Sequence, residues 1–274
     1  MWTLKKPSLE VATGEDIESL INHCRGLSDE DKTILKTLYE QYDEQNGSVT
    51  ILQHNMVPQH KANAIKGQYN KTDKGGVHYY LRDSLMKDVH RCPYCSINQP
   101  DTLDHYMPQS VYPALSMCRL NLVPMCPECN RKKKDFLYTD FIHSYYQAFP
   151  ACSFLKARAS IQLGRIIINF YLDETAISDA GLVKKLKSQI GRIDLIDRIN
   201  KASTSFIEDL CSQCHCFFGI GFKIWLRNRL NECSRQYGLN DWRTATISAV
   251  LDCPEVNYNL FKSIARNDEF VKAE

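Results

Sequence analysis

Residues 91–134 read RCPYCSINQPDTLDHYMPQSVYPALSMCRLNLVPMCPECNRKKK, and this stretch decides how the rest of the chain is read. It holds two C-x-x-C pairs, Cys92/Cys95 and Cys126/Cys129, with thirty residues between them. Each pair can present two thiolates from a tight turn, and together they match the tetrahedral four-sulfur site of zinc. Pro93 and Pro127 favour such turns by presetting φ and removing a competing amide donor. Four separately buried thiols are the bland rival, but two matched C-P-x-C units are a poor product of chance. A redox pair would need only one of them. Four thiolates close the coordination sphere, so the zinc has a structural role and holds two loops together around the segment they bracket.

That segment carries Asp104, His105 and Asn121, with Asn130 next to the last cysteine. Hydrolysis of a phosphodiester needs an activated water, a Lewis acid on the developing phosphorane and leaving oxygen, and a group that orients the base. A neutral histidine is suited to activating the water near neutral pH. Asp104 offers a hard anionic oxygen and Asn130 a carbonyl oxygen, a donor set suited to Mg²⁺ or Mn²⁺. Asp104 and His105 are neighbours, so in an extended segment one can face a metal while the other faces water. A hydrogen bond from Asn121 to the imidazole would fix its tautomer.

In this order the residues resemble the HNH endonucleases, ββα-metal (His-Me finger) nucleases of the subgroup with a four-cysteine zinc knuckle. The family pattern runs C-x-x-C, D-H-x-x-P, N-L-x-x-x-C-x-x-C-[H/N]-x-x-K. Here it stands as Cys92-Cys95, Asp104-His105 to Pro108, Asn121-Leu122, Cys126-Cys129-Asn130 and Lys133. The resemblance implies His105 as general base, Asn121 orienting it, and Asp104 with Asn130 on a catalytic metal, leaving a 5′-phosphate and a 3′-hydroxyl. The usual last histidine is Asn130, which favours Mg²⁺ or Mn²⁺ over a histidine-rich site. It also implies a β-hairpin around the dyad and a helix starting near Asn130. Arg131, Lys132, Lys133 and Lys134 would then meet nucleic acid, DNA first, at a helix N-terminus. A solvated charge run is the alternative for each of them.

The fold class expected is α+β and mostly helical: a small ββα-metal core with its zinc knuckle, flanked by helical N- and C-terminal regions. The division expected is 1–78, a helical region ending in a basic loop; 79–149, the nuclease domain; and 150–274, mainly helical. A non-catalytic zinc-knuckle module that binds nucleic acid or protein is the second function class. The intact His105, Asn121 and metal-ligand set argues against it, because binding alone needs none of that chemistry. The layout, including Lys5-Lys6-Pro7, also resembles the HNH subunits of Septu-type anti-phage modules, which implies a protein partner such as an ATPase; a homodimer is the other arrangement, and a restriction-type or mobile-element nuclease is compatible with the same residues.

With 274 residues, 43% hydrophobic and 24% charged, the chain can bury a substantial core. Formal charge is only +2, but it is unevenly spread. Residues 1–50 carry five Lys/Arg against ten Asp/Glu, and residues 51–134 carry twelve against six, so positive charge gathers on the motif. No apolar run suits a signal peptide or a membrane span, so twelve cysteines are expected in a reducing cytoplasm, four on zinc and most others buried as thiols.

Along the chain, 7–46 reads as helical, with Ser28 opening a helix that carries Ile34, Leu35, Leu38, Tyr39 and Tyr42 at helical spacing. Residues 58–76, polar and basic, read as a loop near the nuclease module, and 79–90 as a short helix leading into the knuckle. Residues 161–173 read as β-rich or mixed, and Leu182 to Ile199 as helical, as does much of 204–236. Tyr138, Phe141, Tyr145, Tyr146 and Phe149, at helical spacing, read as core rather than as a base-stacking surface. Cys211-Ser-Gln-Cys214-His215-Cys216 matches the haem-attachment pattern, but buried thiols on a core helix are the simpler account. The other six histidines show no ligand spacing; His90 and His143 flank the motif.

Overall fold

The computed structural model describes residues 3–135, 140–216 and 221–271. The chain forms two compact units, Trp2–Phe149 and Pro150–Glu274. The motif and the N-terminal helices belong to the first.

In that unit three helices come first: α1 (Leu9–Thr13), α2 (Glu15–His23) and α3 (Asp29–Glu44). Ser28 and Asp31 close a capping box at the start of α3, satisfying orphan amides of the first turn. α3 then buries Leu35, Leu38, Tyr39 and Tyr42 along one face. α4 (Ile51–His54) and α5 (Gln59–Gln68) follow, and a 3₁₀ turn spans Tyr69–Thr72. The loop expected over 58–76 is therefore largely helical. Its apolar face is small, Ala62 and Ile65, which is why the sequence hides it. α6 (Tyr79–Met86) leads into the knuckle, as its spacing predicts.

Two four-residue strands, β1 (Thr102–His105) and β2 (Leu122–Met125), pair antiparallel with Asp104 opposite Val123 and His105 opposite Leu122. α7 runs Pro127–Lys133. It begins three residues before the expected start at Asn130, because Cys126 is its N-cap and the Cys126 thiol accepts from the Cys129 amide at 3.5 Å. The basic run consequently lies in the last turn of α7, where cations complement the helix dipole, and not at its N-terminal amides.

After α7 the described chain, from Asp140, forms no α-helix up to Pro150, contrary to the helical spacing of its aromatics. Phe141 and Tyr145 are nevertheless buried, as core residues should be; Tyr138 lies outside the described residues.

The second unit opens with a hairpin of β3 (Leu155–Gln162) and β4 (Arg165–Leu172). It turns through Leu163 and Gly164, both at positive φ. Helices α8 (Ala180–Arg192), α9 (Leu195–Ser212), α10 (Phe222–Tyr237), α11 (Trp242–Asp252) and α12 (Tyr258–Val271) complete it. The helical pattern from Leu182 to Ile199 breaks at Asp194, which sits in the left-handed region and separates α8 from α9. Cys211 and Cys214 are buried. No helix among the described residues is long and apolar enough to cross a membrane.

Candidate active site and zinc knuckle

Four sulfurs come together first. Cys92, Cys95, Cys126 and Cys129 are all buried, with their Sγ atoms within 4.8 Å of one another. Cys95 and Cys126 are 3.8 Å apart, matching the separation of about 3.8 Å that tetrahedral Zn–S bonds of about 2.3 Å impose. Ser96, at φ 58°, turns the chain just after the first pair, and the Ile97 amide donates to Cys95 Sγ. The thiols titrate as a group. Hydrogen bonds among them pull Cys126 down to about 7 and hold Cys95 far below a free thiol, while Cys129 is pushed up by the same bonds and Cys92 by burial. The donor set fits zinc.

β1 and α7 supply the chemistry beside it. Asp104, His105 and Asn130 line one cavity of about 170 Å³ together with Tyr69, Lys134 and Asp135. His105 is buried, and its Nε2 lies 3.1 Å from the carbonyl oxygen of Ser116. A carbonyl only accepts, so Nε2 carries the hydrogen and Nδ1 keeps the basic lone pair. Burial holds the imidazole down to about 4, with the Lys133 and Lys66 charges acting in the same sense, against the Ser116 bond. Tyr69 lies over the ring, centroids 4.4 Å apart, and its hydroxyl donates to the Leu103 carbonyl.

Lys133 departs from the expected phosphate contact. Its side chain is fully buried, its ammonium donates to the His105 carbonyl at 2.9 Å, and it lies 2.8 Å from Asp104 Oδ2. That second contact is a buried ion pair between the ammonium and the carboxylate. Burial raises Asp104 above the ordinary carboxylate range, and Lys133 counters the rise. Asn130 spends its amide nitrogen on Thr102 Oγ1 at 3.0 Å, so its carbonyl oxygen is what it has to offer. A carboxylate and an amide carbonyl lining one cavity are the hard oxygen donors that suit a divalent cation. Of the remaining basic run, Arg131 is exposed, Lys132 half-buried, and Lys134 exposed on the cavity.

Asn121 also differs from expectation. None of its hydrogen bonds reaches the imidazole. Its amide donates to the carbonyls of Met107 and Leu115, and its Oδ1 accepts from the Met107 amide at 2.8 Å and from Tyr42 at 3.0 Å. Asn121 thus pins both ends of the 107–115 loop, and the residue that bonds the ring is Ser116, one position beyond. The chain of bonds continues outward. His143 Nδ1 accepts from the Tyr145 amide, so Nε2 donates to the Tyr42 hydroxyl, which donates to Asn121. His143, which sequence leaves without a role, therefore supports the loop through Tyr42. Sequence gives no sign of Ser116, which acts through its backbone, or of Tyr69, which comes from a distant turn.

The HNH endonuclease family model matches residues 92–136, the stretch that holds this geometry. Over 66 residues the chain is 36% identical to Protein ea31 of Escherichia phage lambda, covering 23% of this chain and 22% of that protein. The chain thus spans about a fifth of the length of the curated relative it matches. No solved structure matches. The chain carries an HNH endonuclease domain, which supports a nuclease-type function and nucleic-acid binding.

Proposed function

We propose that this protein is a metal-dependent endonuclease that hydrolyses phosphodiester bonds in DNA, with His105 as general base. The observation that carries the reading is the commitment of His105 Nε2 to the Ser116 carbonyl within the cavity of Asp104 and Asn130. Nδ1 is then the atom that takes a proton from the attacking water. Tyr69 restricts the ring, and Asn121 fixes the loop that carries the Ser116 carbonyl. Lys134, exposed on the cavity, offers its charge to a phosphate. Asp104 and Asn130 would hold Mg²⁺ or Mn²⁺, which supplies Lewis-acid stabilisation of the phosphorane and of the leaving oxygen. The buried zinc cysteines keep β1, β2 and α7 in register around these groups.

The test is cleavage of supercoiled plasmid with Mg²⁺ or Mn²⁺. The expected result is nicked or linear product from the wild type, lost with EDTA and lost in His105→Ala. A His105→Ala protein that still cuts at the wild-type rate would remove the assignment of the base. A structured RNA in parallel separates the substrates.

For the biological setting we propose a Septu-type anti-phage role with an ATPase partner. Its support is the Lys5-Lys6-Pro7 opening, anchored where Lys6 pairs with Asp43 of α3 at 2.8 Å, and a second unit that the nuclease chemistry does not use. Expression with such a partner should lower phage plating, and His105→Ala should restore it. Unchanged plating would retire the setting and leave the chemistry standing.

A further inference from the structure

The hairpin of the second unit has two unlike faces. Leu155, Ile166, Ile168 and Phe170 are buried, with α11 packed against β3 and α9 against β4. The opposite face is set by the register, which places Lys156 opposite Tyr171, Arg158 opposite Asn169, and Gln162 opposite Arg165. Residues 155–172 contain no Asp or Glu. Among the described residues, Lys156, Arg158 and Arg165 form no ion pair, in contrast to Lys187, which pairs with Glu174. Arg158 lies over the Tyr171 ring at 5.1 Å, and the turn end is open, with Leu163 fully exposed. One carboxylate, Asp252, lines the groove beside Lys156 and Tyr171.

A solvated surface hairpin ordinarily mixes both signs of charge. This one presents three cations, none in an ion pair with a described residue, along a ribbon interleaved with Asn169, Gln162 and Ser160 and with the half-buried Ile167 and the Tyr171 ring. Two strands about 4.8 Å apart fit the major groove of B-form DNA, which is about 12 Å wide and admits a two-stranded ribbon. The side chains on offer are those that meet phosphates and base edges: Arg and Lys for phosphate and guanine, Asn and Gln for adenine. The deep, narrow major groove of A-form RNA would exclude the same ribbon.

We propose that the outer face of the β3–β4 hairpin is a second nucleic-acid contact, a ribbon that docks in the major groove of duplex DNA. It supplies affinity and base contacts that a cavity built around one phosphate cannot. The inference goes beyond the nuclease reading and shares with it the choice of DNA.

Binding is measured by fluorescence anisotropy with a labelled DNA duplex, using full-length His105→Ala protein so that cutting does not enter. Lys156→Gln, Arg158→Gln and Arg165→Gln are combined, and circular dichroism melting checks the fold. Loss of three phosphate contacts should reduce the slope of log affinity against log salt by about 2.7, and weaken binding about tenfold or more at moderate salt. The charge-preserving set, Lys156→Arg, Arg158→Lys and Arg165→Lys, should retain most of the binding. An A-form RNA duplex should be bound equally by the parent and by the neutralised protein. Unchanged affinity and slope on DNA would overturn the proposal, as would equal losses on DNA and RNA, or no binding of duplex DNA by the parent. If the triple variant fails to fold, Arg165→Gln alone, at the exposed turn end, should lower the slope by about 0.9; no change there is equally fatal. A hairpin that binds DNA in a protein whose His105 form never cuts would retire the nuclease reading alone.

Discussion

At the residue scale, His105 and Lys133 show how burial sets chemistry. A buried imidazole near a buried ammonium resists a second proton, which is why His105 titrates down at about 4. In the unfolded chain it would take a proton near 6.5. Between those values the unfolded state binds more protons, so stability falls as pH drops, by about 3 kcal/mol across the window. Asp16 and Asp104, raised above 3.8 by burial, titrate in the opposite sense at its lower end. For catalysis, kcat/KM should hold level down to about pH 5 and decline below it; a midpoint near an ordinary histidine value would contradict the buried neutral base. Lys133→Met removes the cation beside a buried carboxylate. In zinc-replete buffer free of Mg²⁺ and Mn²⁺ it should cost about 3–5 kcal/mol in urea unfolding, whereas Arg131→Gln on the exposed side should stay within about 0.5 kcal/mol. Equal effects would mean that the ion pair has no weight. Tyr42→Phe should cost about 1–3 kcal/mol by leaving the His143 donor without its acceptor. It should also lower kcat more than it changes KM, since Tyr42 reaches the loop through Asn121 and does not line the cavity.

At the scale of the element, β1, β2 and α7 are too short to stand alone. A two-stranded sheet of four-residue strands is marginal in water, and a seven-residue helix is below the length that persists unaided. A zinc ion on the four cysteines would supply what they lack, at the order of 10 kcal/mol known for small zinc domains. Metal analysis should find one zinc per chain in the wild type and none in Cys129→Ser. Lys134, which ends α7 at φ 51° and ψ −147°, bears a conformation that glycine adopts without strain. Lys134→Gly should therefore raise stability by up to about 1 kcal/mol while weakening DNA binding. A loss of stability there would show that the lysine stem packs as well as reaches.

At the scale of the whole molecule, the two compact units predict two calorimetric transitions. Stripping zinc should lower or abolish the transition of Trp2–Phe149 and leave that of Pro150–Glu274 in place; a single shared transition that moves with the metal would deny their independence. The sequence by itself determined what is local. Cysteine pairs, the Asp104-His105 dyad, the capping box at Ser28 and the period of α3 are written in spacing, because each depends on residues a few positions apart. It misjudged what depends on distant neighbours. A basic, weakly patterned stretch became α5 because its few apolar residues found a core, and Phe141 and Tyr145 were buried without a helix. Only the tertiary structure decided that Lys133 faces Asp104 rather than solvent. Only it decided that a backbone carbonyl fixes the imidazole, and that Tyr42 and His143 reach Asn121 from elsewhere in the chain. Those choices turn on which buried polar groups must share partners once water is excluded, and that requirement exists only when the chain has closed around them.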